Sequence, residues 1–255
     1  MKLARIQYKG APTWGIIEGD DIYGLEGNVY GSFSKGARLT SLAEAKILAP
    51  AEPTIIVACG LNYMGEIRHL GAEVPKEPSL FFKPPTTVLD PGVTIPYPKL
   101  TDNLSHEAEL CCVMKKTARN VSAAEALDYV LGYTCGNDIG MMDVLKKDNN
   151  LITRAKGFDM SAALGPWLET DLDPTNLDIK GIINGKVIQD SNTSEMLFSA
   201  AHIISHISDF MTLRPGDVVF TGTPENGHYP VKVGDVMEVD IEGIGRLTTP
   251  VGPKL

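Results

Sequence analysis

The chain has 255 residues, 43% of them hydrophobic and 22% charged, with a formal net charge of -9. That length supplies a full core for one large domain, alone or with a small appendage. The acidic balance argues against a nucleic-acid partner, which needs clustered Lys and Arg. It leaves anionic small substrates open, because a metal or a few local bases can invert the field inside a pocket.

Four cysteines, Cys59, Cys111, Cys112 and Cys135, all lie in apolar segments, and none forms a CxxC pair. They read as reduced core residues. The first residues, "MKLARIQYKG", hold no apolar stretch long enough for a signal peptide, and no run approaches the ~20 apolar residues of a membrane helix. The expectation is a soluble, cytoplasmic protein with no membrane partner.

In chain order, residues 1–50 read as a small separate β-rich unit. "KLARIQYKG" alternates as a strand, "TWGIIEGDDIYGL" is two short strands around an acidic turn, and "SLAEAKILAP" is a short helical piece ended by Pro50. Residues 51–255 form the main domain. It opens on the β-branched run of "PTIIVACGLNY", a buried strand. "SLFFKPPTTVL" and "ELCCVM" follow as strands. "SAAEALDYVLGY" has the pattern of a helix, with Ser122 and Glu125 as a capping box. "YTCGND", "GPWLET", "LDIKGIING", "DVVFTGTP" and "DVMEVDIEGIGRLTTPV" are further strands, and "SAAHIISHISDFMTL" is a second helix. No repeat and no regular βαβ alternation occur, so the class is a β-rich α+β fold.

The stretch "LSHEAELCCVM" carries the chemistry. Glu107 and Glu109 are two apart, and a strand would aim both at one point while Ala108 and Leu110 face away. Carboxylates this close repel unless a cation lies between them. Asp138, at the end of the apolar strand "YTCGND", is the best third member. Three carboxylates suit a hard divalent cation such as Mg2+ or Mn2+. His106 falls on the opposite strand face and reads as a packing residue or a hydrogen-bonding support. Asp143 reads as a helix cap or surface acid.

Several blocks together resemble the fumarylacetoacetate hydrolase family: "SHEAELCCVM", "ARNVSAAEALDYVLGYTCGNDI", "RAKGFDMSAALGPWLET", "INGKVIQDSNTSEMLFS", "MTLRPGDVVFTGTPENG" and "VGDVMEVDIEGIGRL". They span about residues 53–250. Within the family the chain looks most like the bacterial 2-hydroxyhepta-2,4-diene-1,7-dioate isomerases and 5-carboxymethyl-2-oxo-hex-3-ene-1,7-dioate decarboxylases of aromatic breakdown. The resemblance implies a mixed β-sandwich roll, usually a homodimer, with Mg2+ or Mn2+ on Glu107, Glu109 and Asp138. It implies a small-molecule 2-oxo acid substrate that chelates the metal. It places Lys156 beside the bound carboxylate or enolate, and it assigns Gln189, Thr193, Thr221, Gly222 and Thr223 to the substrate pocket.

The chemistry is consistent with this. Breaking or moving a bond beside a 2-oxo acid builds negative charge on the 2-oxygen, which a divalent cation stabilises, and a proton must then be moved on the carbon side. Here the chain departs from its relatives. They carry His-x-x-Glu after "NY", whereas this chain has Glu66 and then His69, three residues apart and so on one face of a short helix. Met142 stands where many relatives have arginine. The loop "ENGHYPVKVGD" is altered and offers His228 and Tyr229 to the pocket. Glu66 and His69 are the expected acid/base pair. Isomerisation or decarboxylation of a 2-oxo or 2-hydroxydienoic dicarboxylic acid leads. Acylpyruvate hydrolysis or oxaloacetate decarboxylation comes next, followed by a non-catalytic metal- and 2-oxo-acid-binding protein.

Overall fold

A computed structural model describes all 255 residues. Its backbone is dominated by a large mixed sheet. From one edge the strands run Phe33–Ser41, Asp21–Gly27, Ala11–Glu18, Lys2–Tyr8, Ala162–Glu169, Val130–Asp138, Ala108–Met114, Val218–Phe220, Ile56–Gly60 and Ser79–Lys83. A second sheet orders Lys186–Asn192, Asp178–Ile183, Val236–Ile241, Gly245–Lys254 and Ile95–Tyr97. The main core lies between the sheets, joining Leu110, Cys112 and Cys135 of the first to Ile179, Val239 and Leu247 of the second. This is the β-rich sandwich expected from the sequence.

Ala108–Met114 is buried at every residue. A strand covered on both faces reads as a continuous apolar run, which explains why "LCCVM" shows no alternation. All four cysteines are buried and unpaired. The helix Ala200–Phe210 begins at Ser199, whose Oγ accepts from the His202 N–H at 3.3 Å. It buries Ala200, Ile203, Ile204 and Ile207, one stripe at helical spacing. Full burial of each isoleucine stabilises the packing by roughly 2 kcal/mol.

Two local expectations differ from the structure. Ser122 and Glu125 do hydrogen-bond side chain to side chain at 2.6 Å, but only a turn and the 3-10 segment Ala126–Tyr129 follow. The remainder, from Val130, joins the central strand, where sheet pairing overrides local helix preference. "SLAEAKILAP" gives a 3-10 turn, Leu42–Glu44, and then a strand, Lys46–Leu48, paired with Lys2–Tyr8. The N-terminal strands join the large sheet where Lys2 and Leu3 pair with Glu169 and Leu168. No helix is long and apolar enough to cross a membrane.

Candidate functional site

Glu107 links the short strand Leu104–His106 to Ala108–Met114, and Asp138 ends the neighbouring strand. The antiparallel register sets Ala108 opposite Asn137 and Glu109 opposite Gly136. The Asp138 N–H donates to the Glu107 carbonyl at 3.0 Å, and the Asn137 Oδ1 accepts from the Glu107 N–H at 3.0 Å. These bonds bring one oxygen each of Glu107, Glu109 and Asp138 within 4.8 Å of one another, all buried.

Two buried lysines offset this charge. Lys156, on the short helix Ile152–Lys156, lies 2.7 Å from Glu107 Oε1 and 2.9 Å from Asp138 Oδ2, and donates to the Asp138 carbonyl at 2.8 Å. Lys83, 0% exposed, pairs with Asp138 and donates to the Ser161 carbonyl at 3.1 Å. Burial alone would raise the Asp138 carboxyl, but Lys156 and Lys83 hold it below its ordinary value. Burial would lower Lys156, yet Asp138 and Glu107 raise it. Lys83 is lowered, chiefly by burial. Glu109 forms no ion pair: burial and then Asp138 and Glu107 push it well up, against the charge of Lys156 and the Gly222 N–H that donates to its Oε2 at 2.6 Å.

The triad forms one end of a cavity of about 500 Å³ that also reaches Glu66, Thr223 and His228. Glu66 lies on the inner face of the helix Met64–Leu70, which Gly71 ends in the left-handed conformation at φ 62°. Its Oε2 accepts from the Gly227 N–H at 3.2 Å, while Oε1 is buried without a partner. Burial, then the Glu107 charge, raises Glu66 to about 7. A carboxyl poised there can give or take a proton near neutrality.

The other expected site residues distribute as follows. His69 is exposed and does not line the cavity. Both lie in the helix Met64–Leu70, but three residues leave an offset of about 60° around it, which puts Glu66 inside and His69 on the exposed edge. His228 is the imidazole that faces the cavity, with Nε2 3.2 Å from Glu107 Oε1. Tyr229 lines a separate cleft of about 580 Å³. Thr223 lines the cavity, whereas Gln189 lies behind it. The Gln189 Oε1 accepts from the Ala108 N–H at 3.0 Å, and its Nε2 donates to Thr223 Oγ1 at 2.9 Å, tying the carboxylate strand to the "TGTP" turn. Thr221 donates to the Leu110 carbonyl at 2.9 Å. Gly222, at φ 99°, has no room for a Cβ, which would meet Asn62 Cβ at 2.7 Å. Thr193 accepts from the Leu177 N–H at 2.9 Å and lines another cleft. His106 is buried with no partner for either ring nitrogen, and burial lowers it to about 3.

Two residues that support the site escaped the sequence reading. Lys83 ends the apolar strand Ser79–Lys83, a position where a charge needs a partner; that was its only signal. Asn62, fully buried, donates to the Phe198 carbonyl at 2.9 Å and the Thr221 carbonyl at 2.6 Å, and its Oδ1 accepts from the Phe198 N–H at 2.8 Å. It fixes the segment ahead of the Glu66 helix, where Leu61 adopts φ 54°.

The site fits a hard divalent cation. Its donors are all carboxyl oxygens, three acids face two lysines, and Glu107 Oε1, like Glu66 Oε1, is buried without an aligned donor.

Comparisons with known proteins agree with this geometry. The model of the fumarylacetoacetate hydrolase C-terminal family matches residues 55–252, and an Rv2993c-like N-terminal model matches residues 1–50. The solved 5-carboxymethyl-2-hydroxymuconate delta-isomerase of Mycobacterium smegmatis superimposes with a TM-score of 0.92 at 37% identity, covering 100% of both chains. A 4-hydroxyphenylacetate degradation bifunctional isomerase/decarboxylase of Salmonella dublin is 40% identical over 77% of this chain and 46% of its own length. Maleylpyruvate hydrolase of a Sphingobium species, solved with manganese(II) and pyruvate, superimposes with a TM-score of 0.81 at 25% identity over 100% of both chains. The chain belongs to the fumarylacetoacetate hydrolase family.

Proposed function

We propose that this chain is a divalent-metal-dependent enzyme acting on a 2-oxo or 2-hydroxydienoic acid, by isomerisation or decarboxylation. The observation that carries the reading is the convergence of Glu107, Glu109 and Asp138 oxygens within 4.8 Å, buried at one end of a cavity. Mg2+ or Mn2+ held there would act as a Lewis acid on charge developing at the substrate 2-oxygen. Lys156 and Lys83 hold Asp138 ionised for that task and limit the repulsion among the three acids. Glu66, on the cavity wall with its value near 7, moves the proton on the carbon side. His228 supplies the imidazole that the sequence assigned to His69. The Gly222 N–H fixes the Glu109 carboxylate, and Gln189 holds the turn that bears it. The isomerase and isomerase/decarboxylase relatives support this choice of reaction.

C–C hydrolysis of an acylpyruvate is the second reading, favoured by the likeness to maleylpyruvate hydrolase with its bound pyruvate. The test is turnover by metal-stripped protein of oxaloacetate, an acylpyruvate and a hydroxydienedioate, with and without Mg2+ or Mn2+. Metal-dependent turnover of one class is expected and names the reaction. Tight metal binding without turnover of any would leave a binding protein and overturn the enzymatic reading.

A further inference from the structure

We propose that the mouth of the cavity selects substrates whose far end is apolar and rejects those ending in a second carboxylate. The inference rests on the 2-oxo acid reading and narrows it to acids with one carboxylate, setting aside oxaloacetate and the hydroxydienedioate of the panel above.

The charged groups lining the cavity are Glu66, Glu107, Glu109, Asp138, Lys156 and His228. Lys156 is the only lysine or arginine among them, and its ammonium is committed to Glu107, Asp138 and the Asp138 carbonyl. His228 is drawn to Glu107 at 3.2 Å. Charge for a substrate anion is therefore concentrated at the triad end. A second carboxylate, farther out, would lose water without gaining a cationic partner, and four acids line the same space.

The outer wall offers the opposite chemistry. Leu70, Leu80, Phe81, Leu145, Leu151 and Ile152 line it. Leu151 is 71% exposed and Leu70 42% exposed, an unfavourable placement for two leucines unless something covers them. Scattered exposed leucines are ordinary, but these two share the rim of one cavity with four further apolar side chains. Both are held by ordered backbone. Gly71 ends the helix directly after Leu70. Asn149 and Asn150 adopt φ 53° and 64°, which asparagine tolerates. The Asn150 N–H donates to the Leu145 carbonyl at 2.9 Å and the Leu151 N–H to the Asp148 carbonyl at 3.0 Å. Of the nearby cations, Arg154 Nε donates to Asp148 at 2.7 Å and Lys147 lies 3.3 Å from Asp143, while Arg68 and Lys146 are exposed and do not line the cavity. An alkyl or aryl tail entering between these segments covers Leu70 and Leu151 while its 2-oxo acid head reaches the triad.

The test uses two 2-oxo acids with the same head and chain length, one ending in phenyl or alkyl and the other in carboxylate. Both kcat/KM and, by calorimetry on Mn2+-loaded protein, Kd are read, with pyruvate as the head-only probe. The apolar tail is expected to win by about tenfold or more in each measure. Leu151→Arg, at an exposed position on the rim, is expected to move the ratio about tenfold toward the carboxylate tail. Pyruvate binding without discrimination between tails, a wild-type preference for the carboxylate, or a ratio unmoved by Leu151→Arg overturns the inference and spares the 2-oxo acid reading. Failure of pyruvate to bind the metal-loaded protein overturns both.

Discussion

Replacing Glu66 by glutamine keeps the shape of the side chain and removes its proton. The wild-type carboxyl rises from an ordinary 4.5 to about 7 because the folded protein buries it beside Glu107. The unfolded chain releases that proton near 4.5, whereas the folded chain keeps it until about 7. Stability of the wild type relative to Glu66→Gln is therefore full below the lower value. It declines as pH rises between the two and is flat above the higher one. The full interval corresponds to at most ~3.4 kcal/mol, and solvent screening at the cavity reduces the expected loss to ~2 kcal/mol. For a chain of this size that is about 4 °C in Tm. Urea and thermal unfolding of both proteins in chelator, from pH 4 to 8, reads the difference directly. Curves that stay parallel within about 0.5 kcal/mol would refute the buried, proton-holding carboxyl. In the metal-loaded enzyme the same variant should lose a factor on the order of 10² to 10⁴ in kcat and the limb of the pH profile near 7.

Lys83→Met leaves Asp138 with one buried cation in place of two and is expected to cost about 3 kcal/mol in urea unfolding; a loss below about 1 kcal/mol would show that Lys83 is dispensable. Glu109→Ala should abolish both Mn2+ binding by calorimetry and turnover, and retention of either contradicts the three-carboxylate site. Gly222→Ala forces a Cβ to 2.7 Å from Asn62 Cβ at φ 99° and displaces the donor to Glu109. Metal affinity should fall about tenfold or more, and wild-type affinity would mean that the turn adapts. His69→Ala, at an exposed site off the cavity, should keep kcat within about twofold; a loss of about a hundredfold would return His69 to the chemistry.

The triad was legible because its signals were local. Period-two spacing aligned Glu107 with Glu109, and a charge closing the apolar strand "YTCGND" singled out Asp138. Lys83 was not legible, since its partner is 55 residues away and only the sheet joins them. His69 lies on the helix of Glu66 but about 60° around it, and only Gly65, Glu66 and Ile67 are buried there; the imidazole beside the triad comes from the 225–230 loop. "SAAEALDYVLGY" misled differently: its first four residues form the side-chain bond of a helix start, but Leu131 and Tyr133 are claimed by the central sheet. Local pattern identified the pairs, and long-range pairing decided what they served.

Pairing of the first strand with Ala162–Glu169 has a consequence for solubility. That apolar strand lies one place out from the strand bearing Asp138, and its outer side is shared by Lys2–Leu3 and Val88–Leu89. Without residues 1–50, the Leu168–Glu169 end would lose its partner and its backbone donors and acceptors would open to another chain. The N-terminal hairpins thus act as an edge guard. They keep the sheet that carries Asp138 from adding strands of its neighbours, and a protein lacking them should aggregate more readily than the full chain.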